Sequence, residues 1–224
     1  MTVSTPPEAG ALSCAVPTQN PTTMKLFHLL LCTLAFTLAS PADAETGPDE
    51  LIRQVSVEVI DTVKADKAIQ AGDVGRIVAL VDAKVMPHVN FQRMTASAVG
   101  RNWRGATPEQ QKRLQEEFKI LLVRSYAGAL TQVKDQTVQL KPMRGNAGDT
   151  EVVVRTEIKG KGEPVQLDYR LEKAGDSWKI YDVNVLGVWL VEQYRTSFNQ
   201  EIAASGIDGL ITKLAERNKA LAKS

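Results

Sequence analysis

The sequence predicts an α+β domain whose helices pack on one face of a twisted antiparallel sheet. Apolar residues recur every three to four positions up to about residue 130, every second position from 138 to 185, and at helical spacing again to the end. Helices first, strands second and helices last is the order of segregated layers rather than of alternating βαβ units. Glycine-rich turns between the strands link them as hairpins.

A leader precedes the domain. Residues 25–44 read KLFHLLLCTLAFTLASPADA, with one lysine, an apolar stretch from Leu26 to Leu38 and an Ala42-Asp43-Ala44 exit of the kind a signal peptidase cuts. About 13 apolar residues fall short of the roughly 20 that a helix needs to span hydrocarbon, so the segment is read as removed rather than retained. Met24 stands just before it, and residues 1–23 carry Pro6, Pro7, Pro17 and Pro21 without periodicity. The organisation predicted is therefore an upstream extension over 1–23, a secretory signal peptide over 24–44 and one domain over 45–224.

Composition narrows the chemistry. Both cysteines, Cys14 and Cys32, fall before residue 45, so the predicted domain has no disulfide, thiol nucleophile or cysteine metal ligand. His88 is its one histidine, and zinc ordinarily needs several nitrogen or sulfur ligands, so no metal and no cofactor is expected. Its 26 basic and 24 acidic side chains form no long run of one sign, which leaves no electrostatic footprint for nucleic acid. About 180 residues suffice for one core burying roughly 70% of the surface of the unfolded chain.

Taken in order, the first helix opens at Pro48 or Asp49 and runs to about Ala65, with Leu51, Ile52, Val55, Val59 and Val63 on one stripe. A short helix follows Gly72 through Val74, Ile77, Val78 and Val81, and Pro87 marks its end. A third runs from Phe91 to Trp103. Thr107-Pro108-Glu109-Gln110 then starts the longest helix: the Thr hydroxyl accepts an orphan amide, Pro loses nothing at the first position, and Gln110 completes a capping box. Its stripe is Leu114, Phe118, Leu122, Tyr126 and Leu130. Strands follow through Val138 and Leu140, through Val152, Val154 and Ile158 after the turn at Gly145 to Asp149, and through Val165, Leu167, Tyr169 and Leu171. In the last strand, 177–185, Trp178, Ile180 and Asp182 share one parity, and Tyr181, Val183 and Val185 the other. A helix over 188–204 carries Leu190, Val191, Tyr194, Phe198 and Ile202, Ser205-Gly206 breaks it, and Ile207 to about Leu221 ends the chain.

Signatures of catalysis are missing: there is no GxSxG, HExxH, GxGxxG or phosphate-binding loop, and no catalytic residue is assigned. Asp168 and Asp182 lie on neighbouring strands. Asp168 reads as solvated or salt-bridged beside Arg170, whereas Asp182, on an apolar parity, must be hydrogen-bonded and is placed to fix its strand against a helix or amide. The long apolar stripes admit two readings. Either they fill an ordinary core, or helices stand off the sheet and Val138, Val152, Val154, Leu167, Tyr169, Phe118, Leu122 and Tyr126 line a lipid-sized pocket. Ile180, Leu190 and Tyr194 complete the candidate wall.

Three stretches carry a resemblance: MPHVNFQRM at 86–94, GRNWRGATPEQQKRLQEEFKILLVRSYAGAL at 100–130, and WKIYDVNVLGVWLVEQYRTSFNQEI at 178–202. They resemble the MlaC family, also called toluene-tolerance proteins. The resemblance implies a helical portion packed on a twisted antiparallel sheet, a nuclear-transport-factor-like (NTF2-like) cone with an internal lipid pocket. It implies a periplasmic, non-enzymatic phospholipid carrier, monomeric in its simplest form. The expected partners are a phospholipid ligand, an inner-membrane ABC lipid transporter complex and an outer-membrane lipoprotein-porin complex, the shuttle between them maintaining outer-membrane lipid asymmetry. Arg93, Arg101 and Arg104 are the head-group candidates. The competing expectations are a periplasmic chaperone or adaptor, which needs exposed apolar surface, and an NTF2-like enzyme, which needs an internal acid-base pair.

Overall fold

Asp66 ends one helix and begins the next. The computed structural model describes residues 46–143 and 148–223; the extension and signal peptide predicted over 1–44, and Gly145, Asn146 and Ala147 of the predicted turn, lie outside the described residues. Helix α1 (Pro48–Ala65) buries Leu51, Ile52, Val55 and Val63. Asp66 then takes an extended conformation, and its carboxylate accepts the amides of Ala68 and Ile69 to cap α2 (Lys67–Gln70), a helix the apolar pattern does not announce. Asp73 caps α3 (Val74–Leu80) in the same way, through the Arg76 amide. The chain next passes through a π turn (Val81–Val85) and a 3-10 turn (Met86–His88). Asn90 caps α4 (Phe91–Val99), which gives way at Gly100 to a 3-10 turn (Gly100–Gly105). Helix α5 (Pro108–Thr131) starts with both bonds of the Thr107–Gln110 capping box in place.

Five strands, β1 (Thr137–Leu140), β2 (Glu151–Lys159), β3 (Val165–Ala174), β4 (Ser177–Val185) and β5 (Val188–Trp189), form one sheet in sequential order, each antiparallel to its neighbour. The two-residue β5 replaces the start of the helix expected from Val188. Leu186 and Gly187, with φ of 52° and 90°, reverse the chain as a two-residue hairpin turn, so Val188 pairs back onto Val185. Helix α6 (Leu190–Leu221) follows, and Gly206, at φ 73° and ψ −175°, interrupts it where the sequence predicts a break.

One irregularity corrects the predicted faces of β4. Arg170 pairs with Asp182 but Leu171 pairs with Ile180, so Tyr181 is an extra residue with no partner of its own. This bulge turns the strand over. Trp178 and Ile180 before it, and Val183 and Val185 after it, all lie on the face of Leu171, Tyr169 and Leu167, while Asp182 and Asn184 join Arg170 and Asp168 on the other.

Helix α1 lies against β1 and β2, α4 and α6 close on β4, and α5 packs chiefly on α6, α3 and α4. Apolar side chains accordingly gather in three clusters. One is helical, around Phe118; one joins α1 to the sheet through Leu51, Ile52, Val154, Leu171 and Ile180; one lies among Val63, Ile69, Ile77 and Val123.

Candidate functional site

The inner face of the sheet is dry at one end and half-wet at the other. Along β2, Val152, Val154 and Thr156 are buried and Ile158 is half-buried; along β3, Leu171 is buried, Tyr169 and Leu167 are half-buried, and Val165 is exposed. Strand β4 repeats the gradient, from buried Trp178 and Ile180 to half-buried Val183 and Val185. The cluster boundaries run through the same half-buried residues: Val183 touches the helical and sheet clusters, and Val59 the sheet cluster and the third.

The sequence-derived wall residues divide along this gradient. Phe118, Val152, Val154, Ile180, Leu190 and Tyr194 are buried. Phe118 is the centre of a packed aromatic cluster, 5.0 Å from Tyr194 and 5.2 Å from Phe198, both edge-on, and 5.7 Å from Phe91. These ring contacts, two edge-on and the one to Phe91 tilted, tie α4, α5 and α6 together. Leu122, Tyr126, Val138, Leu167 and Tyr169 are half-buried; Leu122 packs against the helical cluster and Tyr169 against the sheet cluster. Burial pushes the Tyr169 phenol above its ordinary range, with hydrogen bonds to Thr156 and Ser56 opposing that shift. Burial raises Tyr126 as well, and the neighbouring Tyr194 adds to it.

The three candidate arginines differ in their surroundings. Arg93 is held by Glu151 at 2.7 Å and by Glu172, and its guanidinium stacks 3.6 Å over the Tyr181 ring. Arg101 lines an open surface recess of about 610 Å³ with Asn102, Arg195 and Asn199. Arg104 is exposed in the same 3-10 turn. A second recess, about 370 Å³, lies on the outer face of the sheet beside Arg155, Arg170 and Tyr181.

Asp182 does what its burial requires. One oxygen accepts the amides of Val183 at 2.9 Å and Val191 at 3.1 Å, and the other takes Arg170 at 3.0 Å, which in turn stacks 3.8 Å over Trp189. Burial nonetheless pushes its pKa above the usual carboxylate value, against these bonds. Asp168 accepts from Gln166 and stands opposite Arg155 and Asn184, so it meets no second carboxylate across either strand. His88 is half-buried, its pKa lowered by burial and by the nearby Lys179. Among the described residues no group of three or more His, Cys, Asp or Glu side chains is placed to hold a metal ion. The sequence pattern offered no sign of the Arg170–Trp189 stack, since its members lie on separate strands; only the misplaced Asp182 pointed towards it.

An antiparallel meander backed by helices is the fold this chain shares with a phospholipid-binding protein from Ralstonia solanacearum solved in complex with a phospholipid. The two share 45% sequence identity and a TM-score of 0.76, over 78% of this chain and 98% of that one. This chain belongs to the MlaC family: the family model described as MlaC protein matches residues 53–216. Relatives are the intermembrane phospholipid transport system binding protein MlaC of Haemophilus influenzae, 26% identical over 86% of this chain and 92% of its own length. The toluene tolerance protein Ttg2D of Pseudomonas putida is 27% identical with the same coverage. Among the described residues no helix is long and apolar enough to cross a membrane.

Proposed function

We propose that this chain is a periplasmic phospholipid carrier, released from its signal peptide, that takes the acyl chains of one phospholipid into the seam between sheet and helices. It then carries them between an inner-membrane ABC lipid transporter complex and an outer-membrane lipoprotein-porin complex. The observation that carries this reading is the 45% identity to a phospholipid-bound structure across nearly the whole of that chain, together with an apolar sheet face that is half-buried where a ligand could complete its cover.

The physical need is large. A diacyl phospholipid has roughly 30 methylene units, and at about 0.8 kcal/mol each their exposure costs on the order of 20 kcal/mol or more. Free diffusion through an aqueous compartment is negligible on that scale. A protein that covers both chains matches what the bilayer offers, so loading is near neutral and direction comes from ATP hydrolysis in a partner. No nucleotide motif is needed in this chain. Arg93 is a poor head-group ligand because two carboxylates already hold it; Arg101 and Arg104 stand open to solvent.

Native mass spectrometry of residues 45–224 tests the reading, followed by organic extraction. One co-purifying phospholipid per chain is expected. Empty protein that takes no lipid from vesicles overturns it.

A further inference from the structure

Leu186 bears two costs at once. It is 66% exposed, and it is the one non-glycine residue among the described residues with a positive φ, 52°. Asn or Gly at that position of a two-residue hairpin turn would relieve the strain and leave no hydrocarbon in water. Nothing in the turn requires leucine: its own amide donates to the Gln166 carbonyl at 3.2 Å, and the Gly187 amide to Asn184 Oδ1 at 2.8 Å. Local strain and exposed apolar surface that folding does not explain are marks of a working surface.

Leu186 is not alone. Val188, 49% exposed, pairs with Val185 beside it, and Val165, 38% exposed, begins the neighbouring strand one step from Gln166. These three stand where the inner face loses its cover. On the inner face of β3 and β4 a row of side chains therefore runs from buried Leu171 and Ile180, through half-buried Tyr169, Val183, Leu167 and Val185, to the hairpin. The opposite end is shut. There Val152, Leu171 and Trp178 lie packed with Leu51, Ile52 and Val55 of α1, and Arg93 locks Glu151 to Glu172.

Resting on the carrier reading above, we infer that the acyl chains enter and leave at this end, over an apolar lip formed by Leu186, Val188 and Val165. A tail sliding over this lip passes from its donor to the sheet without crossing water.

Residues 45–224 contain no cysteine, so one introduced thiol can be capped with a bulky polyethylene glycol maleimide. Leu186→Cys places the cap on the lip and Ser177→Cys at the shut end. Uptake of a fluorescent phospholipid from phosphatidylethanolamine–phosphatidylglycerol vesicles is then timed. Capping at 186 is expected to slow uptake at least about tenfold, and capping at 177 to change it less than about twofold. Leu186→Asn, which suits the turn, is expected to melt no lower than the parent and yet to load about threefold or more slowly. Equal rates for the two capped proteins, or parental uptake by Leu186→Asn, would overturn the lip alone. Uncapped parent protein that never takes up lipid would overturn the carrier reading and the lip with it.

Discussion

The carboxylate of Asp182 receives the backbone amide of Val191 at 3.1 Å, fastening the middle of β4 to the first turn of α6. Trp189, at the position before that helix, offers no side-chain cap, so a strand residue nine positions before Val191 supplies one. The same carboxylate holds Arg170, so the sheet, the helix start and the Arg170–Trp189 stack share one anchor.

Asp182→Ala strands the Val191 amide and leaves Arg170 with the exposed Glu192 as its carboxylate partner. A loss of about 3 kcal/mol is expected, since removing one partner of a buried charged hydrogen bond exposes the desolvation cost of the rest. Asp182→Asn keeps an acceptor and sheds the charge that burial opposes, and is expected to cost about 1 kcal/mol. Urea unfolding of the two variants measures the difference.

Phe118→Ala empties the centre of the aromatic cluster. With Tyr194, Phe198 and Phe91 all within 5.7 Å of its ring, a loss of about 3 to 5 kcal/mol is expected, read as a fall in the urea midpoint.

Substitution to tryptophan separates wall from core. Val154 is fully buried beneath α1, so Val154→Trp overpacks the sheet and is expected to cost about 1 to 3 kcal/mol in stability. Half-buried Leu167 has room on its open side, so Leu167→Trp is expected to fold with an unchanged urea midpoint and to retain less co-purified phospholipid. Full lipid recovery in folded Leu167→Trp would remove this residue from the site.

Acid weakens the Arg93 knot. The Arg93 guanidinium, and then the Tyr181 hydroxyl, hold the Glu151 carboxyl below its ordinary 4.5. A carboxyl depressed in the folded state stabilises above its unfolded pKa, and that contribution disappears as pH falls through the folded value. Melting temperature is therefore expected to drop as pH falls below the ordinary 4.5 and through the depressed folded value, and Glu151→Gln to flatten that limb. Asp182 has the opposite sign. Its raised pKa means the folded state holds the proton more tightly, so its contribution is present at low pH and lost as pH rises through that raised value.

Local signals in the sequence were enough for α1, for the capping box of α5 and for the break at Gly206, because each depends on residues within one turn of another. The strands were legible for the same reason, through alternation and glycine turns. The bulge at Tyr181 was not: alternation assumes that parity persists, and one inserted residue leaves no compositional trace. Nor was α2, whose existence depends on the Asp66 cap rather than on a stripe. At the candidate site, periodicity chose apolar residues that do face inward but could not sort packed Phe118 from half-buried Leu167. The ion pairs of Arg93 join residues 58 and 79 positions apart, a distance at which no pattern along the chain has force.

The extra residue at Tyr181 also governs how this chain can change over time. Because Tyr181 has no partner, its deletion would leave Ile180 opposite Leu171 and Asp182 opposite Arg170, whereas one further residue gained and paired here would slip the strand, presenting Asp182 to the hydrocarbon side and Val183 and Val185 to the polar one. Register downstream of this point is therefore a stricter inheritance than identity.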